Sequence, residues 1–260
     1  MSDFATDFTA HNIRLDDGRE TYPQAGWTMD RNPILLACAR ILRLVFPAGF
    51  TGRSLIDVGC LEGGFATEFA RLGLDATGLE VRDSNFRNCM IVKSGTDLPH
   101  LRFVQDDAMN IAAHGPFDAV FVCGLLYHLD RPRRFLEDAA RVCRRVMFID
   151  THVASLHACS AEKIYNLSPL TENEGLRGRW FAEFSDISET ERDRLKWASF
   201  SNPRSFWIAK ADLLETLHRL GFDIVTEQYD CEGDIAKQYS PGGWRADHDR
   251  VLITAIRSQG

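Results

Sequence analysis

Ser54-Leu-Ile-Asp57-Val-Gly59-Cys60-Leu61-Glu62-Gly63-Gly64-Phe65 is the stretch on which the reading of the fold turns. A short apolar run ends in a glycine. Beyond Gly63, Phe65, Ala66, Phe69 and Leu72 recur at helical spacing until Gly73 stops the turn. This is a strand, a glycine turn and a helix. Downstream the same unit repeats. Residues 75–81 read as a strand and 84–92 as a helix with Ser84 as its N-cap. Residues 101–106 and 117–124 read as buried strands. Pro132 opens a helix with Phe135, Leu136, Ala139 and Ala140 on its inner side, and 146–151 is a fifth strand. Repeated β-then-α units predict parallel strands joined by right-handed crossovers, a doubly wound α/β sheet. The alternation breaks after His152, and 153–204 is of mixed polarity. A helix at 209–220 and strands at 222–227 and 251–256 follow. Upstream there is one strong helix, 33–46, with Asn32 as cap and Pro33 at its first position.

Composition narrows the function classes. The 260 residues carry 30 Lys+Arg against 37 Asp+Glu, a formal charge of −7, and 45% are hydrophobic, an ordinary globular mixture. The acid excess argues against a broad nucleic-acid or anionic-membrane surface, because phosphates are held by clustered Lys and Arg. The most apolar stretch, 33–46, contains Arg40 and Arg43 and falls short of the ~20 residues of a spanning helix. The polar, acidic N-terminus is unlike a secretory signal. Seven cysteines (Cys38, Cys60, Cys89, Cys123, Cys143, Cys159 and Cys231) include no CxxC pair. They read as reduced core residues of a cytoplasmic protein. No metal is expected: Asp150, His152 and His157 match no strong ligand template and read as solvated side chains.

The chemistry-bearing residues stand at strand ends. Asp57 to Gly63 is a D-x-G-x-x-x-G, in which glycines allow a tight turn and close approach of a ligand, with free helix N–H groups beyond. The G-x-G-x-x-G of dinucleotide binding is absent. Glu80 ends the second strand, where a carboxylate can accept both hydroxyls of a ribose. Asp107 follows the third strand, suited to an adenine amino group. The fourth strand runs out through Cys123 and Gly124 into Tyr127 and His128.

At these four places the sequence resembles the class I S-adenosylmethionine-dependent methyltransferases, closely over roughly 50–152 and more loosely at the C-terminal strand–helix–strand. The resemblance implies a seven-stranded, mostly parallel sheet whose last strand is antiparallel and inserted beside the fifth. It implies S-adenosylmethionine as cofactor, with Asp57, Gly59, Cys60 and Gly63 at the methionine part. Glu80 and Val81 would meet the ribose, Asp107 and Ala108 the adenine, and Cys123 and Gly124 the methyl-transfer site. Many members carry glycine where Leu61 stands. Gly124 to Pro132, with Glu80 to Asn85, is similar to the branch of tRNA wobble-uridine carboxymethyltransferases and to many small-molecule methyltransferases. The expected organisation is an N-terminal lid segment (1–50), a cofactor core (51–152), a cap insertion (153–207) and a closing helix and strands (208–260).

The acceptor side rests on residue chemistry. Methyl transfer from a sulfonium needs alignment, exclusion of water and, for weakly nucleophilic oxygen, removal of a proton. His128 and His152 are the candidate bases and Tyr127 an orienting residue; packing beneath the cofactor is the plainer role for His128. The insertion carries Tyr165, Trp180, Phe181, Phe184, Trp197, Phe200, Phe206 and Trp207, suited either to a planar substrate or to the cap's own core. Trp180, Trp207, Arg179, Glu183 and Arg204 are the expected substrate contacts, with surface ion pairing as the alternative for the charged ones. Its seven Lys+Arg against eight Asp+Glu do not make a basic face. The expected activity is therefore methyl transfer to an oxygen or nitrogen of a small molecule. The alternatives are tRNA modification and cofactor binding without turnover. A homodimer and a monomer both suit the sequence.

Overall fold

Helix α1 (Pro33–Val45) starts where its cap predicts: the Asn32 side-chain oxygen accepts from the amides of Ile34 at 2.9 Å and Leu35 at 3.3 Å. The structure, a computed structural model, describes residues 8–156, 164–185, 187–230 and 240–258. The chain divides into two compact units, one ending at Ala108 and one beginning at Met109.

In the first unit, α1 is followed by β1 (Ser54–Val58), α2 (Gly64–Arg71), β2 (Asp75–Glu80), α3 (Asp83–Ser94) and β3 (Leu101–Gln105). β1 pairs parallel with β2, Leu55 opposite Ala76, and β2 pairs parallel with β3, Gly78 opposite Phe103. Leu55, Ile56, Val58, Ala76 and Leu79 are all buried, the continuous apolar burial expected of parallel strands covered on both faces. Helix α3 begins one residue before the sequence expectation. Ser84 lies inside it and is not the N-cap: that position is Arg82, and the Asp83 carboxylate occupies the first turn, where the helix dipole favours it.

In the second unit come β4 (Phe117–Cys123), α4 (Pro132–Val142) and β5 (Cys143–His152), the last following α4 without a loop. Then come β6 (Thr171–Asn173), β7 (Leu176–Ala182), α5 (Glu189–Arg194), β8 (Arg204–Ile208), α6 (Lys210–Arg219), β9 (Ile224–Glu227), α7 (Trp244–Asp247) and β10 (Arg250–Ile256). β4 is parallel to β5. β10 is antiparallel to β5, Arg250 opposite His152, and also antiparallel to β9. The seven-stranded sheet has the order β3-β2-β1-β4-β5-β10-β9, with the inserted antiparallel strand beside the fifth.

The span of mixed polarity after His152 holds regular structure among its described residues. They contribute to a three-stranded antiparallel sheet, β6-β7-β8. Its strands escaped the pattern reading because Arg179 interrupts β7 with a charge that is nevertheless buried. Gly178 marks the tightest approach: a Cβ there would lie 2.2 Å from the Trp207 carbonyl oxygen. Among the described residues no helix is long and apolar enough to cross a membrane. Cys38, Cys60, Cys89, Cys123 and Cys143 are free thiols. Cys159, Cys231 and His157 lie outside the described residues, as do Glu162, Lys163 and Asp186 of the insertion's charges.

Candidate active site

In the first unit the loop after β1 is built from left-handed residues. Gly59 (φ 71°), Leu61 (φ 54°) and Gly63 (φ 81°) alternate with ordinary ones and turn the chain sharply into α2. Leucine pays for this conformation in strain, and two hydrogen bonds hold it there: its amide donates to Glu80 Oε2 at 2.9 Å, and its carbonyl accepts from the Cys89 thiol at 3.3 Å. Glu80 Oε1 accepts from the Arg82 amide at 2.8 Å. One carboxylate thus fixes the loop while each oxygen keeps a lone pair for a ligand. Burial raises the Glu80 pKa, opposed by those two amides. Asp57 Oδ2 accepts from the Ala66 amide in the first turn of α2 at 3.1 Å, and burial, with Glu80 nearby, pushes its carboxyl up to about 8. Cys60 is buried with its sulfur 3.8 Å from that of Cys89, and burial pushes both thiols up. These are packing groups, not thiolates. Val81 and Asp107 are half-buried and Ala108 buried; the Asp107 amide donates to Asp106 Oδ1 at 2.8 Å.

Two residues that sequence reasoning did not single out tie the N-terminal segment to this loop. Glu62 is fully buried and accepts from the amides of Thr9 (2.7 Å), Ala10 (3.1 Å) and His11 (2.9 Å). His11 Nδ1 in turn accepts from the Gly64 amide at 3.0 Å, and its ring stands edge-on to Phe65. Burial pulls the His11 pKa down to about 4, partly opposed by Glu62, so the ring is a neutral acceptor. Glu62 was visible inside the D-x-G-x-x-x-G, but its partners are backbone amides, which leave no trace in a sequence.

In the second unit, β4 leads through Gly124, whose amide donates to the Asp150 carbonyl at 2.9 Å, into a turn at Leu126–His128. Cys123 at the strand's end is half-buried. His128 Nδ1 stands 2.8 Å from Glu183 Oε1. The other oxygen of Glu183 accepts from the Ser199 amide at 3.0 Å, and the His128 carbonyl accepts from Asn202 Nδ2 at 2.9 Å. Glu183, expected at the substrate, has a side chain only 1% exposed, with its two oxygens at His128 and the Ser199 amide. Tyr127 packs against both imidazoles, at 4.2 Å from His128 and 4.6 Å from His152, and its hydroxyl accepts from Arg250 Nη1 at 3.2 Å. Burial raises its pKa, so it stays a phenol.

His152 and Asp150 are not solvated. Asp150 is fully buried and takes Arg245 Nη2 at 2.9 Å and Arg250 Nε at 2.6 Å. His152 lies face to face with Trp207 at 4.7 Å, with Nδ1 2.7 Å from the His248 carbonyl. Burial, with Arg250 beside it, pulls its pKa down to about 3. Of the remaining expected substrate contacts, Trp207 is buried in this aromatic cluster. Trp180 is half-buried against Phe206, and the exposed Arg204 guanidinium lies 4.1 Å from its ring centre. Arg179 is buried and donates to the carbonyls of Ser155 (3.2 Å) and Ser168 (3.0 Å), tying these two points of the insertion's backbone together.

These features have counterparts in known proteins. The ubiquinone biosynthesis O-methyltransferase of Caulobacter vibrioides is 28% identical over 121 residues, 45% of this chain and 48% of that protein. The matched stretch thus spans about half the length of that relative. The O-methyltransferase resE of Aspergillus sclerotiorum is 25% identical over 200 residues, 68% of this chain and 76% of that one. Among solved structures, the N-terminal domain of EvdMO1 with SAH bound shares the fold, with a TM-score of 0.61 at 22% identity over 87% of this chain and 82% of that one. The family model described as a methyltransferase domain matches residues 29–227, well over half of the chain, and the protein belongs to that family.

Proposed function

We propose that the protein transfers a methyl group from S-adenosylmethionine to a hydroxyl oxygen of a small molecule. The cofactor suits the residues present. Asp57 and Glu80 are buried carboxyls, and burial, with Glu80 nearby, pushes the first up to about 8. A cationic ligand relieves that cost, and a ribose diol matches the lone pairs Glu80 keeps. When bound, S-adenosylmethionine supplies an electrophilic methyl on a sulfonium and leaves as the neutral thioether S-adenosylhomocysteine. The chain's own part is to position and deprotonate. With Nδ1–H directed at Glu183, His128 presents Nε2 to take the hydroxyl proton as the oxygen–carbon bond forms, and the Glu183 carboxylate stabilises the resulting imidazolium. His152, held near 3, is a poor base by comparison.

The observation that carries this reading is the His128–Glu183 pair directly after β4. O-methylation follows the named relatives, and a small acceptor suits the insertion's net charge of −1 better than tRNA does. Free thiols suit a cytoplasmic setting. Turnover is measured on an acceptor found by methylating metabolite extracts with labelled cofactor. His128→Ala is expected to lower kcat by ~10²–10⁴-fold, and Glu183→Gln by less, with cofactor affinity unchanged. Near-native kcat in both variants overturns the base. Calorimetry on Glu80→Ala checks the cofactor: unchanged affinity for S-adenosylmethionine sinks the ribose assignment.

A further inference from the structure

Residues 31–56 hold four of the chain's 30 Lys+Arg (Arg31, Arg40, Arg43 and Arg53) and none of its 37 Asp+Glu. The formal charge of −7 is thus segregated, with one cationic stretch in an acidic remainder. Helix α1 runs through the middle of that stretch. Leu35, Ala37, Cys38, Ala39 and Leu42 are buried on its inner side. At about 100° per residue, Pro33, Leu36, Arg40, Arg43 and Leu44 share an outer arc of about 100°. All five are exposed, Leu36 at 44% and Leu44 at 76%. Asp30, the acid next in sequence, accepts from the Thr28 hydroxyl in the turn before the helix.

One exposed leucine needs no explanation. Two on a single helix face, about 12 Å apart along the axis and interleaved with guanidiniums, make a surface that is apolar and cationic at once. Three occupants fit such a face by size and differ in chemistry. A second copy of this chain, set against it about a two-fold axis, would bring arginines toward arginines with no acid on the face to separate them. The phosphates of a nucleic acid would pair with the arginines but leave both leucines without an apolar partner. An anionic bilayer meets both needs: headgroup phosphates take the guanidiniums, and side chains that reach about 5–10 Å inward arrive at the acyl boundary. The potential of an anionic leaflet fades within about 10 Å at 0.1 M salt, so charges on the docked face count most and those farther away are screened.

We propose that the outer face of α1 docks the protein on an anionic lipid surface, with Arg40 and Arg43 on headgroup phosphates and Leu36 and Leu44 at the acyl boundary. Arginine suits the task because its planar guanidinium meets phosphate oxygens in pairs and keeps its charge. The attachment is peripheral and reversible. A folded helix offers one face only, and its 13 residues with two arginines are too short and too polar to span the bilayer. Docking goes beyond the function proposed above and does not depend on the acceptor: α1 holds the enzyme at a lipid surface whichever small molecule is methylated.

Vesicle flotation with the full chain tests this. Vesicles of phosphatidylcholine alone are compared with vesicles in which about a third of the lipid is phosphatidylglycerol. The protein is expected to float with the anionic vesicles, much less with the neutral ones, and less as salt rises. Arg43→Gln is expected to weaken binding to the anionic vesicles about fivefold, the effect of one cation near such a surface. Leu44→Gln is expected to weaken it roughly three- to tenfold. Both side chains are exposed, so the thermal midpoint and the affinity for S-adenosylmethionine stay as in the parent. No flotation with the anionic vesicles, equal flotation with the neutral ones, or binding that survives both variants overturns the proposal. So do two results that give the face another occupant: tRNA retention on a filter that Arg43→Gln lowers, or a dimer in sedimentation equilibrium that Leu44→Gln dissociates. Turnover of labelled S-adenosylmethionine on a metabolite extract, measured without lipid, reads the methyltransferase function separately in every case.

Discussion

His11 shows how a single side chain links the N-terminal segment to the pH dependence of the fold. Its folded pKa, about 4, lies below the 6.5 of an exposed histidine, because burial disfavours the imidazolium and Nδ1 must stay unprotonated to accept from Gly64. As pH falls below 6.5, the unfolded chain binds a proton that the folded chain refuses. Stability is therefore fully present at neutral pH, declines between about 6.5 and 4, and levels off below, with a total of up to roughly 3 kcal/mol from this group. His152 adds a decline of the same sign that extends to about 3. Urea unfolding across that range is expected to be flatter for His11→Gln, which keeps an acceptor that does not titrate; an unchanged pH slope contradicts the latch. None of this was legible in the sequence, where His11 is one histidine in a polar tail. Leu61 is the opposite case. Its place in a glycine position was visible, and the residue there is left-handed, held by Glu80 and Cys89. The sequence showed the anomaly but not the hydrogen bonds that make it tolerable.

Among the elements, the parallel strands and their helices were readable because each buries a contiguous apolar run or a 3.6-residue stripe. The β6-β7-β8 sheet was not, because its burial depends on partners far along the chain. Arg179 is inside because two carbonyls receive it, and Ser205 is buried opposite Phe181 of β7. The β7–β8 pairing, Gly178 opposite Ile208, also sets where Trp207 lies, since the Trp207 carbonyl is the atom nearest an added Cβ at Gly178. Gly178→Ala brings that Cβ to 2.2 Å from backbone, which cannot rotate away, and the strands must separate. The expected result is a loss of about 2 kcal/mol or more by urea unfolding, with altered fluorescence from the tryptophans of the cap, while affinity for S-adenosylmethionine stays unchanged because none of the residues proposed for it, from Asp57 to Ala108 and Cys123 with Gly124, lies in β6, β7 or β8. A variant as stable as the parent contradicts the close approach of the two strands.

At the scale of the whole molecule, the chain separates two tasks along its length. The acids proposed for the cofactor, Asp57, Glu80 and Asp107, all precede Met109; the proposed base His128, its partner Glu183 and the aromatic cluster around His152 all follow it. Strand-end position made the first set legible, since fold and chemistry coincide there. The second set depends on pairing across 55 residues for His128 with Glu183 and 96 for His152 with His248, which no local pattern encodes. Net charge acts at this same scale and decides between acceptors. An enzyme that holds tRNA neutralises several phosphates at once; with 6–10 such contacts, affinity falls by ~10³–10⁵ between 50 and 200 mM salt. A chain of formal charge −7, with an insertion that is itself slightly acidic, has no surplus of cations to spend this way. A small uncharged acceptor displaces almost no counterions. Turnover on the natural acceptor is therefore expected to change by less than about twofold over that salt range, with no tRNA retained in a filter-binding assay at 50 mM salt. A steep fall in kcat/KM with salt, together with tRNA retention that salt abolishes, would reverse the assignment of the acceptor while leaving the cofactor site and the His128–Glu183 base in place.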